Sequence, residues 1–322
     1  MQPLFLKPVF KEMIWGGTAL REQFGYDIPS DKTGECWAIS AHKNGDCSVE
    51  TKEPSTYSGK SLNKLWQDDK ELWGEAGKAE VFPLLTKLIS AETDLSIQVH
   101  PDDDYAKANE NGSLGKTECW YIADAKEDAT IVIGHNAKSK EELKKYIDEK
   151  DFMGLIREIP VKKGDFFFIS PGTVHAIKGG TVILETQQNS DITYRLYDYD
   201  RLQDGKPREL HINRCLDVII CPFEAKEPEH REIKRFADSS FIKNLVVCEL
   251  FEVDLVRVEK SAEFIQTTDF TLVSVLEGRG RLKSKNKAEW EIKKGEHFIL
   301  PNGFGNCEFI GSMELIISGS LK

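Results

Sequence analysis

The sequence predicts a mainly β protein, built as two barrels or jelly rolls with a few inserted helices. Three observations carry that expectation. Short apolar runs separated by Gly, Pro and Asp recur at 95–99, 118–123, 130–134, 166–169, 181–186, 245–258, 271–276 and 297–300, a spacing that suits packed antiparallel strands. Helical patterns are few. And a fifteen-residue stretch occurs twice without a gap: residues 161–175 align on 292–306, with Lys, Lys, Gly, the central Phe and the second Gly identical. Each copy reads as turn, apolar strand, Pro/Gly turn, and such duplication implies two similar units, one near each end. The bland alternative is two unrelated β-turn-β segments, but the unbroken register favours duplication. His175 in the first copy is matched by Asn306 in the second, so any chemistry carried by that histidine belongs to the front unit alone. The expected division is 1–225 and 235–322, with the charged, Pro-containing segment 221–234 as linker.

The helices are read as insertions or covers on this frame. Ser139-Lys140-Glu141-Glu142 is a capping box opening a helix over 141–150. Residues 61–73 carry Leu62, Leu65, Trp66, Leu72 and Trp73 at near-helical spacing, and 210–219 is a third candidate.

Composition excludes several function classes. With 43 Lys+Arg against 54 Asp+Glu the net charge is −11, which excludes a generally basic nucleic-acid binder and argues against broad contact with anionic membrane. An anionic ligand would need a local basic pocket. No apolar run reaches the roughly 18 residues of a membrane span, and the opening residues lack the basic start and apolar stretch of a signal peptide. The seven cysteines are scattered and never in a CxxC pair, which reads as reduced thiols in a cytoplasmic protein.

Chemistry-bearing residues fall in four elements. In Leu95-Ser96-Ile97-Gln98-Val99-His100 the apolar residues alternate with polar ones, so a strand sends Gln98 and His100 to one face together. Glu118 shares a face with Trp120 and Ile122, where an unpaired carboxylate would be costly. Ser170-Pro171-Gly172-Thr173-Val174-His175 is a turn that delivers one histidine to a strand start. Two imidazoles, one carboxylate and one amide oxygen suit Zn²⁺ with a position left open for substrate. Each residue alone also fits an ordinary structural role, as His42, His135 and His211 do. The fourth element, from Glu185 to Arg201, is dense in polar and aromatic residues, and its Arg195 suits a phosphate or a developing oxyanion. A surface arginine paired with Asp198 or Asp191 is the alternative.

These residues resemble a known family. Gln98-Val99-His100-Pro101-Asp102-Asp103, Gly115-Lys116-Thr117-Glu118-Cys119-Trp120 and Pro171-Gly172-Thr173-Val174-His175-Ala176 are similar to the signature of the type I mannose-6-phosphate isomerases, in their short bacterial form. Phe82-Pro83-Leu84-Leu85-Thr86-Lys87, Trp15-Gly16-Gly17 and Gly34-Glu35-Cys36-Trp37 fit as well. The likeness runs from about Pro3 to Asp217 and is looser beyond. It implies cupin β-barrels and one Zn²⁺ per chain. The metal ligands it implies are His100, Glu118 and His175, with Gln98 as the fourth ligand of the longer forms and water as the alternative in the shorter ones. It further implies a catalytic Arg195, lysines near substrate at Lys87 and Lys116, and an acidic residue for ring opening at Asp191. Arg201 stands behind these as a further cation for the phosphate.

The implied reaction interconverts D-mannose 6-phosphate and D-fructose 6-phosphate through a cis-enediol(ate). The proton-transferring base stays open among Lys116, Lys87, Asp191 and a zinc-bound hydroxide. The implied partner is a phosphorylated hexose, without nucleic acid or membrane, in a monomer or homodimer. Two rivals stand beside this reading. One is a cupin enzyme of other specificity, such as another sugar-phosphate isomerase, an epimerase or a dioxygenase. The other is a sugar-binding cupin without turnover.

Overall fold

Three large antiparallel sheets organise the chain in the computed structural model, which describes every residue except 51, 54, 227 and 322. The first has six strands in the order Phe166–Ile169, Glu118–Ala125, Thr181–Gln188, Leu84–Ala91, Thr33–Ile39 and Val9–Gly17. The second has five: Ile156–Pro160, Thr130–His135, His175–Ile177, Ile97–Val99 and Tyr194–Tyr197. The third, of ten strands, takes in most of the chain after the linker. The protein is mainly β, as expected, but the strand pairing leaves these sheets open and does not close them into barrels.

The six- and five-stranded sheets stack face to face. Ile89, Trp120, Ile122, Ile169 and Ile183 from one meet Ile131 and Ile177 from the other in a buried layer. Alternation along each strand then decides what points where. On the five-stranded sheet Val99, Val132, Ala176 and Tyr194 point outward, under helices Lys140–Asp148, Phe152–Leu155 and Ile212–Val218. On the six-stranded sheet Cys36, Leu88, Tyr121 and Leu184 point outward and pack with Phe251, Leu272 and Ile316 of the back sheet. The polar residues left on the two inner faces therefore meet each other.

The repeated stretch folds alike in its two copies. The repeats place strands Phe166–Ile169 and His297–Leu300 at equivalent positions. In the turn before each strand, Lys162 N donates to Asp165 and Lys293 N to Glu296. Gly164 and Gly295 both take left-handed φ, 90° and 83°, which glycine adopts without a Cβ penalty.

The capped helix forms where expected, with Ser139 Oγ accepting from Glu142 N at 3.2 Å. Three expectations shift. The run 245–258 is two strands, Phe241–Val247 and Phe251–Val258, folded back on each other. The helix expected over 61–73 ends at Asp68, because Asp69 leaves helical backbone (ψ 60°), and resumes as a short 3₁₀ turn. And the division near 225–235 is crossed at the start of the chain: Leu4–Lys7 pairs with His297–Leu300 of the back sheet.

A cluster of four rings also joins the halves. Trp66, Trp73 and Phe82 surround Phe270 with all centroids 5.1–5.9 Å apart, and all four side chains are fully buried. Phe270→Ala is expected to cost about 3–5 kcal/mol and to lower the melting point of the whole chain as one transition. A scan in which the front half keeps its melting point would show that the halves are uncoupled.

Candidate metal centre and cavity

Register brings the expected ligands together. His175 lies directly opposite Gln98 on the neighbouring strand, and Gln98 lies opposite Arg195 on the next. His100 follows the Gln98 strand, its carbonyl held by Gly172 N at 2.9 Å. Glu118 opens its strand on the facing sheet, inward with Trp120 and Ile122. Across the interior His100 Nε2 and His175 Nε2 come within 3.1 Å, and each lies 3.3–3.5 Å from a Glu118 oxygen. His100, Glu118 and His175 are all buried.

Protonation follows from the partners. His175 Nδ1 donates to the Thr173 carbonyl at 2.9 Å, so its Nε2 keeps a lone pair. His100 Nε2 accepts from the Lys116 ammonium at 3.1 Å, so it too offers a lone pair. Burial pushes His175 down to about 4 and holds His100 well below the ordinary histidine range, with Lys116 adding to the second effect. Neither Glu118 oxygen meets a donor in hydrogen-bond geometry, although Lys116 Nζ lies 2.8 Å from Oε2. With the Lys116 ammonium and the Gln98 amide as the hydrogen-bond donors beside them, two imidazole lone pairs and a carboxylate converge. That donor set fits a divalent ion of zinc type. Gln98 turns its Nε2 toward His175 at 3.3 Å, so it would ligate only after an amide rotation.

A cavity of about 340 Å³ opens beside the cluster, reached past Gln98 and Lys116, a size that suits a small metabolite. Lys116 is buried between Glu118 and Glu185, the latter at 3.8 Å. Burial pulls its ammonium down, but the two carboxylates outweigh burial and raise it, so it stays charged. Lys87 is also buried, 3.8 Å from Glu35 and 4.8 Å from the Trp37 ring centroid, with Lys11 on the same ring at 4.9 Å. Asp191 lines the cavity and accepts from Asn44 at 3.1 Å. Arg195 lines it too, with Nη1 on the Glu209 carbonyl at 2.8 Å and a buried Nε that meets no acceptor among the described residues.

A model of the type I phosphomannose isomerase catalytic domain matches residues 4–123, and one of the mannose-6-phosphate isomerase cupin domain matches 241–320. Mannose-6-phosphate isomerase ManA of Bacillus subtilis is 48% identical over 320 residues, 98% of each chain. The chain belongs to the type I phosphomannose isomerases. A mannose-6-phosphate isomerase of Streptococcus mutans is 46% identical, covering 99% of this chain and 98% of its own. The crystal structure of the Bacillus subtilis mannose 6-phosphate isomerase superposes with a TM-score of 0.94 at 47% identity, covering 99% of both chains. Phosphomannose isomerase from Salmonella typhimurium shares the fold at 16% identity and a TM-score of 0.77.

Three residues that line this cavity of the phosphomannose isomerase chain escaped the sequence reading as site residues. Glu185 is buried on the strand beside Lys87 and reaches toward Lys116; burial, with Glu118 nearby, raises its carboxyl. An isolated glutamate on an apolar strand was the available signal, the same one that marks Glu118. Glu35 was noted only as part of a family motif; it lines the cavity and accepts from Trp37 Nε1 at 2.6 Å. Arg208 lines the cavity and no local pattern announces it. Arg201, by contrast, does not line this cavity. It donates to Asp198 at 2.6 Å and to the Asp94 carbonyl, and borders a separate surface groove with Tyr199 and Lys126. Tyr199 and Asp200 both take left-handed backbone, φ 57° and 53°, so the alternation that aims Arg195 inward is lost before Arg201.

Proposed function

We propose that this chain is a zinc-dependent isomerase that interconverts D-mannose 6-phosphate and D-fructose 6-phosphate through a cis-enediol(ate). One observation carries the reading. The convergent lone pairs of His100 and His175 with the Glu118 carboxylate stand beside a cavity lined by Lys87, Lys116, Arg195 and Arg208, in a chain of net charge −11. Family membership and the relatives' isomerase names support it.

His100, Glu118 and His175 would hold the ion, with Gln98 or water completing the set. A divalent ion there polarises substrate oxygens as a Lewis acid. The chain's own residues supply the rest. Charged Lys116 stands where negative charge develops on the substrate oxygens. Glu185, a buried carboxyl facing Lys116, is placed to take the proton from the carbon beside the carbonyl and return it to the neighbouring carbon. Asp191, at the cavity rim, serves ring opening. Lys87 positions the sugar beside Trp37, and Arg195 faces the developing charge. Arg201 acts only through Asp198.

Residues 1–225 would be the catalytic unit and 235–322 a structural one without ligands. Among the described residues no helix is long and apolar enough to cross a membrane. Among the described residues the seven cysteines are free thiols; a cytoplasmic setting is part of the proposal.

Coupled turnover tests the function. The metal-loaded protein should isomerise mannose 6-phosphate and leave glucose 6-phosphate untouched; absence of turnover, or metal-dependent oxygen uptake instead, would overturn it. Arg195→Ala should lower kcat by about 10²-fold or more. An unchanged kcat would leave Arg195 with a purely structural role on the Glu209 carbonyl.

A further inference from the structure

Two guanidiniums share one wall of the cavity, and like charges are not placed side by side in a half-buried site without a reason. Arg195 and Arg208 both line it, and Arg208 is close enough to help hold the Arg195 guanidinium below its ordinary range, second to burial. Neither is fully spent on the protein. Arg195 leaves its buried Nε without an acceptor. Arg208 uses Nε, at 2.7 Å, and Nη2 on the two oxygens of Asp198, and its Nη1 has no hydrogen-bond partner among the described residues.

Asp198 is the hinge of the arrangement. Its buried carboxylate accepts from Arg208 on one side and Arg201 on the other. One negative charge thus answers two arginines while Arg195 adds a third, a local positive excess in an acidic chain. Of the pair that Asp198 grips, Arg208 faces the cavity and Arg201 faces the separate groove. Of the cavity's carboxylates, Glu35 and Glu185 stand on the facing six-stranded sheet, and Asp191 precedes Arg195 in the chain. Within this wall Arg195 is the member nearer the metal side, directly opposite Gln98, while its strand is separated from the His175 strand by the Gln98 strand, roughly 10 Å at ordinary strand spacing.

We propose that Arg208, fixed by Asp198, selects phosphorylated over free sugar by forming with Arg195 a two-guanidinium seat for the phosphate dianion. The proposal rests on the isomerase reading above and names the residue that sets its substrate class. A guanidinium preset by a carboxylate presents its remaining N–H groups to phosphate in fixed geometry, at little ordering cost. Asp198 is a positioning residue in this scheme: it touches Arg208, and Arg208 touches the ligand.

The test reads binding separately from turnover. Inorganic phosphate is titrated calorimetrically into the metal-loaded wild type, Arg208→Ala, Arg208→Lys and Arg201→Ala, and KM and kcat for mannose 6-phosphate are measured on the same samples. Arg208→Ala should weaken phosphate binding and raise KM by about 30-fold or more, with kcat within about threefold and metal content unchanged. Arg208→Lys, which keeps the charge without the fork, should recover only part of the loss and reads the same constants if the alanine variant does not fold. Arg201→Ala should weaken binding by no more than about threefold. The proposal is overturned if wild type binds no phosphate, if Arg208→Ala leaves both constants unchanged, if it lowers kcat at constant KM, or if Arg201→Ala does as much damage. Wild type that binds phosphate through Arg208 but does not turn over mannose 6-phosphate would overturn the isomerase reading and leave the seat standing.

Discussion

Replacing His175 with alanine is expected to empty the metal centre. With one zinc ion per chain, as proposed above, zinc should fall to a small fraction of that, and isomerase activity by about 10³-fold or more. The His175 ring is held by its Nδ1 bond to the Thr173 carbonyl, which presents Nε2 to His100 and Glu118. Alanine removes both the ligand and that orientation, leaving one imidazole and one carboxylate, too few for a stable site. The same loss should follow exhaustive chelation of the wild type, with zinc restoring activity there and not in the variant. Elemental analysis of the purified protein decides it. Stoichiometric zinc in His175→Ala would strike that residue from the ligand set, and turnover surviving chelation would remove the metal from the mechanism. Losing the ion should also lower the melting point, because a ligand bound only by the folded state stabilises it by about 4 kcal/mol at a thousandfold excess over its dissociation constant.

Lys116→Met is expected to separate chemistry from metal binding. Methionine keeps the length of the side chain and removes its charge. Activity should fall by about 10³-fold or more, since the variant loses the positive charge that the proposed mechanism sets at the reacting oxygens and the partner of Glu185. Zinc content should hold, because Glu118 loses a competitor for its carboxylate and both imidazoles remain. Stability should fall by about 3–5 kcal/mol in the metal-free protein, where Glu118 and Glu185 are left buried without their shared cation. The two variants therefore give opposite metal readings with similar activity losses. A Lys116→Met protein that had lost its zinc would show the lysine holding the ligand geometry, and one that kept its kcat would exclude it from the chemistry.

Legibility in the sequence followed how local each signal is. Alternation held over the strand itself, with Ile97 and Val99 on the outer face and Gln98 on the cavity, because the side-chain period of a strand is a property of the backbone; Leu95, which precedes the strand, joins the inner layer instead. The repeat was readable for the same reason: its turns close on bonds within four residues, such as Lys162 to Asp165 and Lys293 to Glu296. Longer-range features were not readable. Nothing in Leu4–Lys7 says that it pairs with a strand nearly three hundred residues later. The run 245–258 looks continuous, and only the partner strands show where it folds back. Arg201 and Arg208 are alike as sequence, yet the left-handed turn at Tyr199 and Asp200 and the grip of Asp198 send one away from the cavity and the other into it.

The strand-like runs, the repeated turn, the capped helix and the residue types able to bind a divalent ion are properties of short stretches of chain, and the sequence alone determined them. The meeting of His100, Glu118 and His175, the burial of Lys116 between two carboxylates and the choice of Arg208 for the cavity wall were decided by sheet register and by the stacking of two open sheets. The physical reason is one of range. Backbone sterics and turn chemistry act over a few residues, whereas His100 and His175 are 75 residues apart in the chain and 3.1 Å apart in space, a distance set by packing two apolar faces against each other.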